Sequence, residues 1–331
     1  MAMVTGDPNV ENFSPDGAES ESPKKIEGRS LRQIALGRLK KDKGTLAAMM
    51  IAALFILCAI ASPILDQMGV IDPFTNHREL IDSSGNPKVG ISGSHLLGVV
   101  PGSGTDLLSR LMLGVTFSVI VGLCATIVAI SIGLVIGLIA GFSGGKVDFL
   151  CSRLIDLVLC FPQTLMLLAL SGTLVARLED IGVPKGNVAV GLYVILVLGL
   201  FGWPTFARII RGQVMTLRNR EFVEAARSLG ATNKRLYFTE LLPNLWAPLL
   251  VYSTLLFPVF VSAEAALGFL GVGIKAPTPT LGNIINDSVA YAQTNALYFF
   301  APTLSVALLV LSFNLVGDGL RDALDPKADR H

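Results

Sequence analysis

The sequence predicts an α-helical bundle that spans a membrane. Three observations predict it. The 331 residues are 52% hydrophobic and only 15% charged, where a soluble domain carries about 25% charged residues. Six long uncharged windows succeed one another, each of at least 20 residues, and a helix needs about 20 residues to cross about 30 Å of hydrocarbon. Most of the Lys and Arg residues fall on one side of these windows. Backbone groups in lipid must be satisfied within the segment, so spans of this length are helices.

Residues 1–28 are polar and rich in Ser, Glu, Pro and Gly, the composition of a disordered tail. Residues 29–43 are basic with Leu31, Ile34, Ala35 and Leu39 interleaved; they read as a surface helix before the first span or as a plain basic flank. The windows are 44–65, 111–145, 157–176, 186–207, 241–263 and 288–317. The second and sixth exceed one crossing, so part of each belongs in a headgroup region or loop. Phe161-Pro162 predicts a kink in the third. The first starts too late and runs too long for a signal peptide.

Placing the N-terminus inside puts segments 1–43, 141–156, 208–240 and 318–331 on the cytoplasmic side with 20 Lys and Arg. The outer segments 66–110, 177–185 and 264–287 then hold 6. That is a positive-inside pattern with both termini cytoplasmic. The organisation is therefore a tail over 1–43, a six-span domain over 44–318 and a second tail over 319–331. The outer segment 66–110 contains DSSGNP, a turn-rich exposed piece.

The longest charged stretch between apolar runs is Arg218 to Asn244, inside the cytoplasmic loop 208–243. Phe222, Ala225, Ala226 and Leu229 recur at i, i+3, i+4 and i+7, an apolar helix stripe. Gly230 suits the left-handed position that ends a helix. Thr232 can cap a second short helix carrying Leu236, Tyr237, Leu241 and Leu242. Pro243 fits the first turn of the helix after that. A helix this short is marginal alone in water and must dock, on its own membrane domain or on a soluble partner.

These stretches also resemble a known family. EAARSLG from Glu224 and LLP ending at Pro243 are similar to the EAA loop of ABC importer permeases. HLLGVVPGSGTDLLSRLMLG from His95, GFSGGKVDFLCSRLIDLVLCFP from Gly141, GWPTFARIIRGQV from Gly202, AEAALGFLGVG from Ala263, PTPTLG from Pro277 and FNLVGDGLRDALDP from Phe313 resemble the dipeptide/oligopeptide permeases, on the side of the subunit with an extended N-terminal segment. The resemblance covers about residues 30–326. Thr105 stands where that family usually has Arg, Glu240 where it often has His, and Leu281 where Trp is frequent.

The resemblance implies a type I ABC importer permease fold in the inner membrane of a prokaryote. It implies a second homologous permease subunit, two ATP-binding subunits that hold ATP and Mg, and an extracytoplasmic peptide-binding protein, with no nucleic-acid partner. It assigns coupling to the ATPase to Glu221, Glu224, Ala225, Ala226, Arg227, Gly230, Leu242 and Pro243. The chain itself has no G-x-x-x-x-G-K-[S/T] phosphate loop, because GFSGGKV has the wrong spacing and no hydroxyl after Lys146. No cofactor or metal is expected on this chain. His95 has no Cys or His neighbours at ligand spacing.

Three polar residues near the spans are pathway candidates. Asp156 either gates the pathway or pairs with Arg153 at i−3. Gln163 either meets a peptide backbone or caps the kinked helix. Glu264 either lines the outer mouth or marks the interface. Gly133, Gly137 and Gly141 form a small-residue row, for packing within the bundle or against a second subunit. Asn314 is expected to make an interhelical hydrogen bond, and Asp318, Arg321, Asp322 and Asp325 an inner charge network. Cys58, Cys124, Cys151 and Cys160 read as small core residues. An ion-coupled secondary transporter, a permease for nickel or a sugar, and a membrane scaffold are the competing functions.

Overall fold

The computed structural model describes residues 37, 39, 40, 42–88 and 90–324. The expected surface helix at 29–43 falls mostly outside them, as does Asp325. The described residues build helices α1 (Lys43–Gln67), α2 (Leu107–Ser143), α3 (Gly145–Leu159), α4 (Gln163–Asp180), α5 (Asn187–Leu217) and α6 (Glu221–Ser228). Then come α7 (Asn233–Phe269), α8 (Leu281–Ser288) and α9 (Ala296–Leu324). Five of these are long and apolar enough to cross a membrane, and α3 with α4 makes a sixth if the bent pair is one span.

The bend between α3 and α4 is 78°. It sits at Phe161-Pro162, where the kink is predicted. Proline disfavours helical backbone in the residue before it, so the chain breaks rather than curves. The expected loop part of the sixth window is found: residues 289–291 form a 3-10 turn before α9 begins at Ala296. In the second window the headgroup alternative applies, not the loop. α2 is one continuous helix of 37 residues, about 55 Å long at 1.5 Å per residue, so its excess length extends past the hydrocarbon as helix.

The centre of the bundle is the α2–α5 pair, the most extensive helix contact in the chain. Gly133, Gly137 and Gly141 make it possible. A Cβ on them would lie 2.9 Å from the Trp203 carbonyl, 2.7 Å from that of Ala207 and 2.7 Å from that of Arg211. The row therefore packs within this chain. Buried Ala125, Ala129, Tyr193, Val197, Trp203 and Phe260 form the core beside it.

A second cluster joins Val100, Leu107, Leu111, Leu281, Ile284 and Tyr298. Thr105 and Leu281 are 2% and 0% exposed, so these two departures from the family pattern are core positions in this chain. The DSSGNP piece is a turn, with the Asp82 carboxylate accepting from the Ser84 and Asn86 amides. Of the cysteines, Cys58 is half-buried and packs against this second cluster, Cys124 and Cys151 are half-buried, and Cys160 is exposed and no core residue.

Candidate functional site

The loop between α5 and α7 is held to the membrane body by a third cluster. Buried Phe206, Ile210 and Val214 from α5 meet Val223 of α6 and Leu236, Leu241 and Leu245 of α7. α6 is a helix of eight residues, docked through Val223, which is 0% exposed, and through half-buried Ala226. This alters the expected stripe. Phe222 is 38% and Leu229 89% exposed, so these two edges point away from the bundle, together with exposed Glu221, Glu224 and Ala225; the Arg227 guanidinium instead reaches back over the Phe142 ring of α2. Val223 is the residue missed from the sequence. It sits at i−3 from Ala226 and carries the intramolecular contact.

The turn after α6 obeys its predicted chemistry. Gly230 has φ +82, a conformation that favours glycine over any side chain. Its amide donates to the Arg227 carbonyl at 3.0 Å, and the Ala231 amide to the Ala226 carbonyl at 3.0 Å. The Thr232 hydroxyl accepts from the Arg235 amide. The expected second short helix is instead the start of a span. Asn233–Phe269 runs on as one helical segment, with a π turn at Leu236–Leu241 and a 3-10 turn at Leu242–Leu245.

Pro243 lies in the first turn of that 3-10 piece, where its missing amide hydrogen costs least. Leu241 and Leu245 are buried, whereas Leu242 is half-buried and Pro243 exposed.

Two polar clamps fix the loop's entry. Arg211 Nη2 donates to Asp148 Oδ2 at 2.7 Å, and Nε donates to Oδ1 of the same carboxylate. Arg218 Nη1 donates to the Gly141 carbonyl at 3.0 Å. These tie α5 to α3 and to the end of α2. Such a two-pronged pair is among the stronger side-chain contacts. Asp148→Asn is expected to destabilise the chain by about 1–3 kcal/mol, read as a lower melting temperature in detergent. The exchange of both residues, Asp148→Arg with Arg211→Asp, should recover part of the loss, and no recovery would show that the pair is not what matters.

The three pathway candidates have different surroundings. Asp156 Oδ1 accepts from Arg208 Nη2 at 2.8 Å, and Oδ2 lies 3.5 Å from Arg153 Nη1. The pairing reading describes it, with Arg208 as a partner that helical spacing did not suggest. Gln163, the first residue of α4, donates from Nε2 to the Leu198 carbonyl of α5 at 3.3 Å. It clamps two helices and does not cap its own break. Glu264 is 2% exposed. In this chain it neither lines an open mouth nor marks an interface. The hydroxyls of Ser118 and Thr280 flank it, and neither of its oxygens has a hydrogen-bond partner among the described residues.

The remaining candidates are structural or unpaired. His95 Nδ1 lies 2.9 Å from the Asp106 carboxylate, within the segment 66–110. Among the described residues, Asn314 has no hydrogen bond; it lines a shallow groove with Ser262 and Thr303. Nor does an ion pair join Asp318, Arg321 and Asp322 among them.

Residues 133–330 match the family described as binding-protein-dependent transport system inner membrane component. The dipeptide transport system permease protein of Alkalihalophilus pseudofirmus is 36% identical over 293 residues, covering 88% of this chain and 89% of that protein. The oligopeptide transport system permease protein of Bacillus subtilis is 33% identical over 317 residues, covering 95% and 96%. The di/tripeptide transport system permease protein of Pseudomonas aeruginosa is 35% identical over 286 residues, covering 86% and 89%. A solved chain from an inward-facing MetNI methionine ABC transporter matches with TM-score 0.52 at 21% identity, covering 66% of this chain and 98% of that one. This last likeness is one of fold.

Proposed function

This chain belongs to the family of binding-protein-dependent transport system inner membrane components, and from that premise we propose that it is one permease subunit of a peptide importer driven by ATP hydrolysis in separate subunits. Peptide is the substrate class because its relatives are named for dipeptide, di/tripeptide and oligopeptide transport. The proposed assembly pairs this subunit with a second, homologous permease. Two ATP-binding subunits hold ATP and Mg beneath them, and an extracytoplasmic binding protein delivers the peptide. The bent pair α3–α4 is taken as the third of six spans, with both termini and the loop 208–243 in the cytoplasm.

The observation that carries this reading is the division of labour on α6. One edge, Val223 with Ala226, is committed to the membrane body. The other edge presents Phe222, Glu224, Ala225 and Leu229 outward. Leaving Leu229 in water has a hydrophobic cost that a partner surface removes. Ala225 allows that partner close approach, and Glu224 offers it a charge. When ATP closes the nucleotide-binding subunits, a helix gripped on both edges passes the displacement through the π and 3-10 turns to α5 and α7.

The test is uptake of a radiolabelled dipeptide into proteoliposomes holding the assembled transporter and its binding protein. Uptake is expected to require ATP and to survive collapse of the proton gradient. Uptake without ATP, driven by a pH gradient, would instead establish the ion-coupled alternative. Nickel or sugar uptake with no peptide uptake would reject the substrate class.

A further inference from the structure

A pocket of about 540 Å³ opens beside α6, between the end of α2 and the start of α7. Its walls include Phe142, Arg218, Asn219, Arg227, Asn233 and Tyr237. The two arginines converge on it without a carboxylate within ion-pair distance among the described residues. Nearby, Arg208 holds Asp156 and Arg211 holds Asp148, so those two carboxylates are engaged, while Glu221 and Glu224 of α6 are exposed and form no ion pair with either arginine among the described residues. Arg218 uses one N–H on the Gly141 carbonyl, which leaves most of its five donors free. The Arg227 guanidinium lies over the Phe142 ring, 5.5 Å from its centroid, and Phe142 packs on Tyr237 at 4.7 Å.

We propose that this pocket binds the phosphate of an anionic phospholipid headgroup. Two fixed, unpaired guanidinium groups suit a phosphodiester, whose oxygens accept from both. The depth suits a lipid. Phe142 is in the last turn of spanning helix α2, and the Arg218 guanidinium reaches back to the Gly141 carbonyl one residue before it, a level that the proposed sidedness sets at the headgroups. The Phe142–Tyr237 pair is the kind of aromatic wall found at that level. Basic pockets between helices on the cytoplasmic side are a recurrent mode of headgroup binding. A bound headgroup would bridge α2, α6 and α7 and brace the coupling helix from behind. Assignment to the inner leaflet rests on the proposed sidedness, with the loop 208–243 in the cytoplasm.

The test is native mass spectrometry of the assembled transporter, extracted from membranes of equal phosphatidylglycerol and phosphatidylcholine. The wild-type complex is expected to retain phosphatidylglycerol preferentially. Arg218→Gln should lower that retention about fivefold, and Arg218→Lys should keep most of it. Asn219→Asp is the second variant, because it changes an exposed side chain and supplies both arginines with an internal carboxylate; it should also lower retention about fivefold. Lys234→Gln removes the same charge outside the pocket and should change nothing. The proposal is overturned if the variants retain lipid like wild type, if millimolar inorganic phosphate displaces the lipid as a plain anion site would allow, or if the wild-type complex carries no preferred lipid. Retention is read without transport, so its failure is separable from a failure of the coupling reading.

Discussion

Glu224→Lys and Gly230→Pro are each expected to reduce peptide uptake to background while the subunit still inserts in the membrane and assembles with its permease partner. The two act by different routes. Glu224 is exposed and makes no ion pair or hydrogen bond within the described chain, so reversing its charge breaks no internal contact, costs the first turn of α6 about 0.3–1 kcal/mol of dipole stabilisation, and chiefly alters what meets α6. Juxtaposing like charges in an interface costs several kcal/mol, enough to abolish a contact made and broken in each cycle. Gly230 sits at φ +82, whereas proline is fixed near −65°. Proline would also remove the amide that donates to the Arg227 carbonyl. The turn would open and α6 would lose its angle to α7. Uptake by either variant at the wild-type rate, at equal membrane abundance, would remove the basis of the coupling reading.

The second large effect lies in the bundle. Gly137→Leu is expected to prevent accumulation of folded protein, and Gly137→Ala to lower stability by about 1–3 kcal/mol, the usual penalty of overpacking. A Cβ there would approach the Ala207 carbonyl at 2.7 Å and Ile210 Cβ at 2.8 Å, both in the middle of α5. Backbone cannot step aside as a flexible side chain can, so α2 and α5 would have to separate along their length. Gly172, whose Cβ would meet nothing within 4 Å, is the control, and Gly172→Ala should be neutral. Melting temperatures in detergent decide it; equal values for the Ala variants at 137 and 172 would contradict the packing account.

Much of this architecture was legible because lipid imposes simple demands. Crossing hydrocarbon requires an uncharged run, so the windows located the long helices. Pro162 broke α3 from α4 where its ring predicts, and Gly230 and Thr232 took the turn and cap positions that their chemistry assigns. The face that α6 commits to its own domain was not legible. Both edges of that helix are apolar, and periodicity marks a stripe without saying what covers it; Val223, rather than Phe222 or Leu229, met the bundle.

Contacts between distant residues were also invisible. Arg211 and Asp148 lie 63 positions apart, and nothing in local spacing joins them. Glu264 was misplaced because its position was read from the edge of an uncharged window. The segment 264–287 folds back instead, packing Gly282 of α8 against Ala265, with the carboxylate buried. The burial of Thr105 and Leu281 was invisible for the same reason, since sequence does not show that a segment between spans contributes to the core.

In the proposed assembly, α6 is gripped on one edge by its own membrane domain and on the other by an ATP-binding subunit. Replacing Leu229 with the photo-crosslinking residue benzoylphenylalanine in the assembled transporter, with Val223 replaced in parallel, tests it directly. Position 229 should cross-link to an ATP-binding subunit, more strongly with ATP present, and position 223 only within the permease. Cross-links from position 229 solely to lipid, or to the extracytoplasmic binding protein, would contradict the account.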